Sequence, residues 1–547
     1  MIRKGLLLLL IVAGCKKSDN KPSPAIGLLV DAYTIDGKAT SPTNTSTTPA
    51  INIKFSAPVD RATIIPGNIS FTENSGTAVL YNATYASGDK EIILEPTKPL
   101  KHLTSHTVSV NNSIQSAAGG KLINPPVITF MTDIDSTQKF PTISDDSLLT
   151  LVQKQTFTYF WDFAHPVSGL ARERNTSGDL VTSGGSGFGI MSIIVGAERG
   201  FITKAQALTR LQTITSFLKN TAKKFKGAFP HWLNGATGAA IPFSQKDDGA
   251  DLVETSYLMA GLLTARQYFN GAAPAEATLR ADINSLYNAV EWSWHRKNNE
   301  NVLYWHWSEN FNFEMNHQIR GWNECLITYV LAASSTTSTI PKIVYDNGWA
   351  QNGGIKNSTP YLGITIPLGD PTGGPLFFSH YSFLGINPNG LSDQYANYQT
   401  QVVNHTRVNY EYSKANPKGH YGYSNLVWGL TASDIPGGYT ASSPTNDIGV
   451  IAPTAALSSM PYTPAESMNA LKFFYYTLGD KLWKGNGFID AFSLKTPWFA
   501  ESFLAIDQGP IIIMIENHRS QLIWNLFTSC PEVKAGLSKL GFTAPYL

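Results

Sequence analysis

Asp247-Asp-Gly-Ala-Asp251-Leu-Val-Glu254-Thr-Ser-Tyr257 is where a loop rich in Gly and aromatic residues passes into a helix that the apolar spacing carries to residue 269. Acids lead its first turn, where a helix end favours negative charge. The same transition recurs, with helical spacing over 148–163, 190–199, 205–220, 279–294, 324–333, 465–478 and 511–527. Long loops carrying Gly, Pro, Trp and Tyr separate these helices, and their aromatic content argues for function rather than disorder. Many helices joined through elaborate loops predict a mainly α domain, an (α/α) toroid with a cleft on its loop face. No repeat of fixed period marks a solenoid.

Upstream of residue 148 the character changes. Over 28–132, short alternating runs such as Ile51-Asn-Ile-Lys-Phe55, Glu91-Ile-Ile-Leu94, Thr107-Val-Ser-Val110 and Val127-Ile-Thr-Phe130 lie between Gly, Pro, Asn and Ser clusters, the pattern of a small β-sandwich. Phe55-Ser-Ala-Pro-Val-Asp60 resembles the bacterial Ig-like modules placed ahead of secreted enzymes, which space or bind without chemistry of their own. A polar linker is read at 133–147, leaving 148–547 as the helical domain. Residues 1–15 read as a signal peptide too short to span a bilayer. Its Leu-Ile-Val-Ala-Gly-Cys15 ending resembles the bacterial lipobox, so Cys15 is expected to be acylated and to hold the protein at the outer membrane, on the periplasmic or cell-surface side. Residues 16–27 would be a flexible tether. Beyond Cys15 no apolar stretch is long enough to cross a membrane, so the lipid is the only expected membrane contact.

Lys and Arg number 41 against 40 Asp and Glu, a formal +1, which offers no basic field for nucleic acid. Aromatic residues at 11% against 15% charged suit a neutral ligand such as a sugar, and suit a large core equally. Cys325 and Cys530 sit in apolar segments as small core residues, supplying neither a disulfide framework nor a metal cluster. No metal or cofactor is expected, and the protein is read as a monomer.

Three constellations carry candidate chemistry. Asp251 and Glu254 are three apart and share a helix face, and Glu254 stands inside an apolar helix, where a carboxylate needs a cleft or a partner. The helix-end charge explains Asp247 and Asp248 more simply. In Gly321-Trp322-Asn-Glu324-Cys-Leu-Ile, one acid opens an apolar helix whose surroundings raise its proton affinity, as a general acid requires; an ion pair is the alternative. In Ala505-Ile-Asp507-Gln-Gly-Pro, Asp507 lies at a helix start, where a carboxylate stays ionised and suits a base; capping is the plainer role. Glu516 and Arg519, three apart, are expected to pair within their helix. Trp232, His306, Trp307, Trp322, His380, Tyr381, His405, Tyr421, Trp428 and Tyr462 supply rings and polar edges for gripping hydroxyls, though each is individually compatible with a core role. Gly184-Gly-Ser-Gly-Phe-Gly189 lacks dinucleotide-loop spacing and is read as a turn before a helix. Neither a Gly-x-Ser-x-Gly elbow nor His-Glu-x-x-His occurs, so serine and zinc chemistry lack support.

Six segments in order, Gly-Ala-Phe-Pro-His-Trp (227–232), Asp-Leu-Val-Glu-Thr-Ser (251–256), Gly-Trp-Asn-Glu-Cys (321–325), Gly-Pro-Leu-Phe-Phe-Ser-His-Tyr-Ser (374–382), Ile-Ala-Pro-Thr-Ala-Ala-Leu-Ser-Ser-Met-Pro-Tyr (451–462) and Ala-Ile-Asp-Gln-Gly-Pro (505–510), resemble the glycoamylase-like domain of glycoside hydrolase family 144. The resemblance implies an (α/α)6 barrel and inverting hydrolysis of β-1,2-glucan, either internally or by release of sophorose from an end. It places the family's cleft acids on Asp251, Glu254, Glu324 and Asp507. Glu324 is taken as general acid and Asp507 as the base or water-positioning group, with Asp251 and Glu254 binding substrate or tuning proton affinity. An inverting pair must leave room for a water, which Asp251 and Glu254 are too close to do. A non-catalytic glycan-binding lipoprotein, a hydrolase of another glucan and a polysaccharide lyase are the rival readings; the balanced charge offers a lyase no groove for uronates.

Overall fold

The computed structural model describes residues 26–39 and 43–547, so the signal peptide, Cys15 and most of the tether lie outside the described residues. The chain divides into two compact units, Met1–Asp135 and Ser136–Leu547.

In the first unit eight strands, β1 (Val30–Ile35), β2 (Thr43–Thr45), β3 (Ile51–Phe55), β4 (Ile69–Glu73), β5 (Tyr81–Ala86), β6 (Glu91–Pro96), β7 (Ser105–Val110) and β8 (Val127–Thr132), form two four-stranded sheets ordered β1-β3-β6-β5 and β2-β8-β7-β4. Alternation along each strand supplies the core: Ile51, Ile53 and Phe55 from β3, Ile92 and Leu94 from β6, Val108 and Val110 from β7, and Ile128 and Phe130 from β8 are all buried. Polar strand residues are buried as well, among them Thr45, Thr132 and His106, whose ring stacks on Phe130 at 5.3 Å.

The second unit is helical: α1 (Asp145–Trp161), α2 (Ser183–Glu198), α3 (Lys204–Asn220), α4 (Leu252–Tyr268), α5 (Pro274–Ala289), α6 (Leu326–Ser334), α7 (Lys342–Val344), α8 (Phe377–His380), α9 (Tyr398–Ala415), α10 (Pro453–Leu457), α11 (Pro464–Lys472), α12 (Gly479–Leu482), α13 (Ala505–Arg519), α14 (Leu522–Thr528) and α15 (Pro531–Leu540). Helices α2, α4, α6, α10 and α13 are buried along most of their length, whereas α1, α3, α5, α9 and α11 between them bury one face only. Helix α2 packs between α4 and α13, α6 packs on α4, and α10 packs on α13. Each fully buried Leu, Ile or Val in these helices contributes about 2 kcal/mol of transfer free energy. Among the described residues no helix is long and apolar enough to cross a membrane.

The glycine-rich stretch 184–189, expected to be a turn, lies inside α2. Packing overrides its poor helix propensity. A Cβ on Gly187 would stand 2.1 Å from the Tyr257 carbonyl oxygen, and one on Gly261 would stand 2.3 Å from that of Gly187, so α2 and α4 touch backbone to backbone. The stretch 511–527 is two helices rather than one, broken at Gln521, which has a φ of +61°. Glu516 and Arg519 do not pair with each other. Glu516 is held at 2.7 Å by Arg199, which caps the C-terminus of α2, and Arg519 reaches Gln153 at 2.7 Å and Asp146 at 2.6 Å, because the neighbouring helices bring longer-range partners closer. Part of the segment read as linker is built into this unit: Phe140 stacks on Tyr475 at 4.6 Å, and α1 starts at Asp145.

Candidate active site

Two short strands, β9 (Leu180–Thr182) and β10 (Trp232–Asn234), pair ahead of α2; β11 (Ala240–Ile241) extends that sheet. A second ribbon, β12 (Ala250–Asp251) with β13 (His306–Trp307), runs into α4 and sets Asp251 opposite His306. Asp251 is the N-cap of α4: its Oδ1 accepts from the backbone N–H groups of Val253 at 3.0 Å and Glu254 at 2.9 Å. Its Oδ2 faces His231 Nδ1 at 3.0 Å, while His306 Nε2 stands 3.2 Å from Asp247 and 3.8 Å from Asp251. Asp247 and Asp248 therefore precede the helix instead of opening it, and Asp248 accepts from Asn310 at 2.6 Å.

These contacts divide the protons. Burial alone would lift Asp251, but the hydrogen bond and charge of His231 hold it below the ordinary carboxylate value. Burial works against a charged His231 too, yet Glu254, Asp251 and Asp247 together hold it up to about 9. Glu254, 8% exposed, accepts from the Gly184 N–H at 2.8 Å at the start of α2, and burial raises its proton affinity. His231, Asp247 and Asp251 offer ligand atoms within 4.8 Å of one another. A protonated His231 has no lone pair for a cation and offsets part of the charge of the two carboxylates itself.

Glu324 lies in the turn before α6, half-buried, with its backbone carbonyl accepting from Tyr257 Oη at 3.2 Å and from Ser382 Oγ. Burial, reinforced by Glu254 and Asp251, pushes its carboxyl up to about 7. The ring of Tyr381 lies 5.7 Å from that of Tyr257 and 5.2 Å from that of Phe188. Burial and then the charges of Asp507, Tyr439, Glu254 and Glu324 raise the Tyr381 hydroxyl, so this side chain stands between two acidic groups.

The second group forms at the start of α13. Asp507 is 2% exposed, and its Oδ2 is buried without a backbone or hydroxyl donor. Burial and the neighbouring Asp490 push it well above the ordinary range, overcoming the helix end that was expected to keep it ionised. Asp490, itself lifted by burial to about 7, accepts from the Asp434 N–H at 2.7 Å. Asp434 is held by Arg174 at 3.1 Å and by Ser502 at 2.5 Å. A cleft of about 760 Å³ opens beside them, lined by Arg174, Asp434, Tyr439, Trp498, Phe499 and Glu501 among others.

The ten expected substrate-gripping residues separate. His306 and Tyr381 join the acids, and Trp232 packs beside His231 at 5.7 Å. Trp307 lines a different recess. His380 bonds Ser459 at 3.0 Å and stacks on Tyr462, whose hydroxyl donates to the Ser379 carbonyl. His405 lies between Ser379 at 2.7 Å and the Gly374 carbonyl at 3.0 Å. Trp322 and Trp428 are buried against Phe383 and Tyr410 respectively, and Tyr421 is half-buried in a turn. Burial lowers the proton affinity of His380 to about 3 and of His405 to about 4, which makes them neutral packing groups. Sequence reasoning passed over His231, Asp490 and Arg174. Asp490 carried a usable signal, since Gly487-Phe-Ile-Asp-Ala-Phe492 is an acid in an apolar run like the one around Glu254.

Several carboxyls of divided proton affinity, gathered near the starts of buried helices, have the make-up that glycoside hydrolysis requires. The comparisons agree with it. The glucoamylase family model (Glycoamylase) matches residues 316–531, and the bacterial Ig-like domain model (Big_5) matches 33–132. The endo-β-1,2-glucanase of Chitinophaga pinensis, solved with sophorotriose and glucose, is 52% identical with a TM-score of 0.73, covering 74% of this chain and 100% of that one. The β-1,2-glucanase of Parabacteroides distasonis is 35% identical with a TM-score of 0.71, covering 94% of this chain and 73% of that one. An exo β-1,2-glucooligosaccharide sophorohydrolase (non-reducing end) of Parabacteroides distasonis is 44% identical over 421 residues, 73% of this chain and 58% of that protein, so the chain spans less than two thirds of this curated relative's length. The chain belongs to this family, glycoside hydrolase family 144.

Proposed function

We propose that the protein hydrolyses β-1,2-glucan, with Glu324 as the general acid. The observation that carries this reading is the Glu324 carboxyl, lifted to about 7 in a half-buried turn beside Asp251, in a chain 52% identical to an endo-β-1,2-glucanase. A carboxyl protonated near neutral pH can give its proton to the glycosidic oxygen as the bond breaks. Asp507 and Asp490 act together as the base: two buried carboxyls side by side carry one proton and one charge, and the charge accepts a proton from the attacking water. The water then adds to the face opposite the departing oxygen, and the anomeric carbon inverts. Asp251, kept ionised by His231, and Glu254, fixed by Gly184, orient sugar hydroxyls and sustain the proton affinity of Glu324. Replacing Glu324 with Gln should lower kcat/KM on β-1,2-glucan by at least about 100-fold; retained activity would remove Glu324 from this role.

The alternation of buried α2, α4, α6, α10 and α13 with one-sided α1, α3, α5, α9 and α11, with the short α8, half of it buried, at the remaining inner place, supports an (α/α)6 barrel in which α2, α4 and α13 start at the acids. We further propose that the protein is tethered to the outer membrane through an acylated Cys15, supported by the lipobox-like ending and the polar stretch after it. A Cys15→Ser form should leave the membrane fraction; its continued membrane association would contradict the anchor.

A further inference from the structure

Trp307 follows His306 on β13, and successive side chains of a strand project from opposite faces. His306 therefore meets Asp247, while Trp307 turns to the back of the ribbon and meets Trp294 edge to face at 5.7 Å and 89°. There the two indoles floor a recess of about 540 Å³, within the about 300–1,000 Å³ of small-ligand sites. Phe311 and Phe313 extend the floor, and Asn298, Asn299 and Asn312 stand on its rim.

Three features set this recess apart from ordinary surface. Trp294 is 40% exposed, yet its ring is pinned, with Lys226 Nζ 4.1 Å from the ring centroid. The rim is built at conformational cost: Lys297, Asn298 and Asn299 have successive φ values of 43°, 59° and 62°, and the Arg296 guanidinium clamps the turn through the Asn299 and Glu300 carbonyls at 2.8 and 3.0 Å. Its charges are already engaged, Lys297 with Asn316 at 2.6 Å and Glu314 with Lys246 at 2.5 Å, so the recess presents rings and amides to a ligand. Apolar faces rimmed by amide donors and acceptors match the flat C–H faces and hydroxyl edges of a neutral sugar.

We propose that this recess is a second glucan-binding site, separate from the acid cluster, which holds one stretch of the polysaccharide on Trp294 and Trp307 while another stretch is cleaved. The ligand named rests on the β-1,2-glucan reading of the active site. A short oligosaccharide fills the cleavage site alone, so only a polymer gains from the second grip, as in any two-point attachment.

The test compares wild type, Trp294→Ala and Trp294→Phe for retardation in native gels containing linear β-1,2-glucan, and for kinetics on the polymer and on short sophoro-oligosaccharides. Trp294→Ala should show about ten-fold weaker retention and a correspondingly raised polymer KM, with kcat and short-substrate kinetics unchanged, and Trp294→Phe should recover most of the binding. Retention and polymer KM indifferent to Trp294, or an equal loss on short substrates, overturns the second site. Wild type that releases no new reducing ends from β-1,2-glucan overturns the active-site reading and with it the ligand named here; wild type that cleaves but is indifferent to Trp294 overturns this inference alone.

Discussion

The Glu254 carboxylate accepts a hydrogen bond from the backbone N–H of Gly184 at 2.8 Å, joining the first turn of α4 to that of α2. Only a glycine permits the approach: a Cβ at 184 would fall 2.4 Å from Glu254 Oε2 and 2.9 Å from Tyr257 Cδ2. Gly184→Ala should therefore displace both side chains and lower kcat/KM by roughly 100-fold, the effect of misplacing a site by about an ångström. Steady-state kinetics on β-1,2-glucan, with circular dichroism as the folding control, decide it. Near-wild-type turnover would show that Glu254 needs no such anchor.

The Glu324 carboxyl, at about 7, sets one limb of the pH profile. A general acid must be protonated, so kcat/KM should fall as pH rises through 7. The profile of the wild-type enzyme, measured on β-1,2-glucan between pH 4 and 9, checks this. A flat profile up to pH 9 would contradict it.

Glu324 and Asp490 also make a stability statement. Both are raised to about 7 from ordinary values of 4.5 and 3.8, so the stability they contribute is fully present below about 4 and is lost as pH rises through 7. Glu324→Gln and Asp490→Asn should each raise Tm at pH 8 while bringing no gain at pH 4. A Tm difference that does not change with pH would show that these carboxyls fold without that penalty.

His231 works in another window. Its value is raised from 6.5 to about 9, so the stability from its pairing with Asp251 is complete below 6.5 and is lost as pH rises through 9. Thermal melts of wild type and His231→Gln at pH 6 and pH 9.5 should converge at the higher pH. A constant gap would assign His231 a packing role alone.

Far from the acids, toward the last turns of α2 and α13, Arg199 closes on Glu516 at 2.7 Å, with the Glu516 side chain 1% exposed. Arg199→Ala strands a buried charge and should cost about 3 kcal/mol. Urea unfolding should register it, with kcat on β-1,2-glucan unchanged at temperatures where the protein stays folded.

Legibility in the sequence followed the range of the interactions. Strands such as Ile51–Phe55 announce themselves by alternation, because burial on one face is a local property. Glu254, Glu324 and Asp507 could be singled out because an acid in an apolar helix always needs an explanation. Helix α2 could not be recognised from its start: its glycines are helical only because α4 lies against them. Asp507 looked like an ionised helix-end acid because Asp490, 17 positions upstream, is invisible as a neighbour until the chain is folded. The same limit applies to the aromatic residues. His380 ends α8 and His405 lies within α9, where they find Ser459, Ser379 and Gly374 as buried partners, and no spacing rule distinguishes that fate from facing a sugar.

The most direct measurement incubates the wild-type protein and Glu324→Gln separately with linear β-1,2-glucan, β-1,3-glucan and α-1,4-glucan and follows new reducing ends. Wild type should release them from β-1,2-glucan alone, as sophorose or longer sophoro-oligosaccharides, and Glu324→Gln should release almost none. Equal cleavage by the two proteins, or wild-type cleavage of another linkage in preference, would contradict the account.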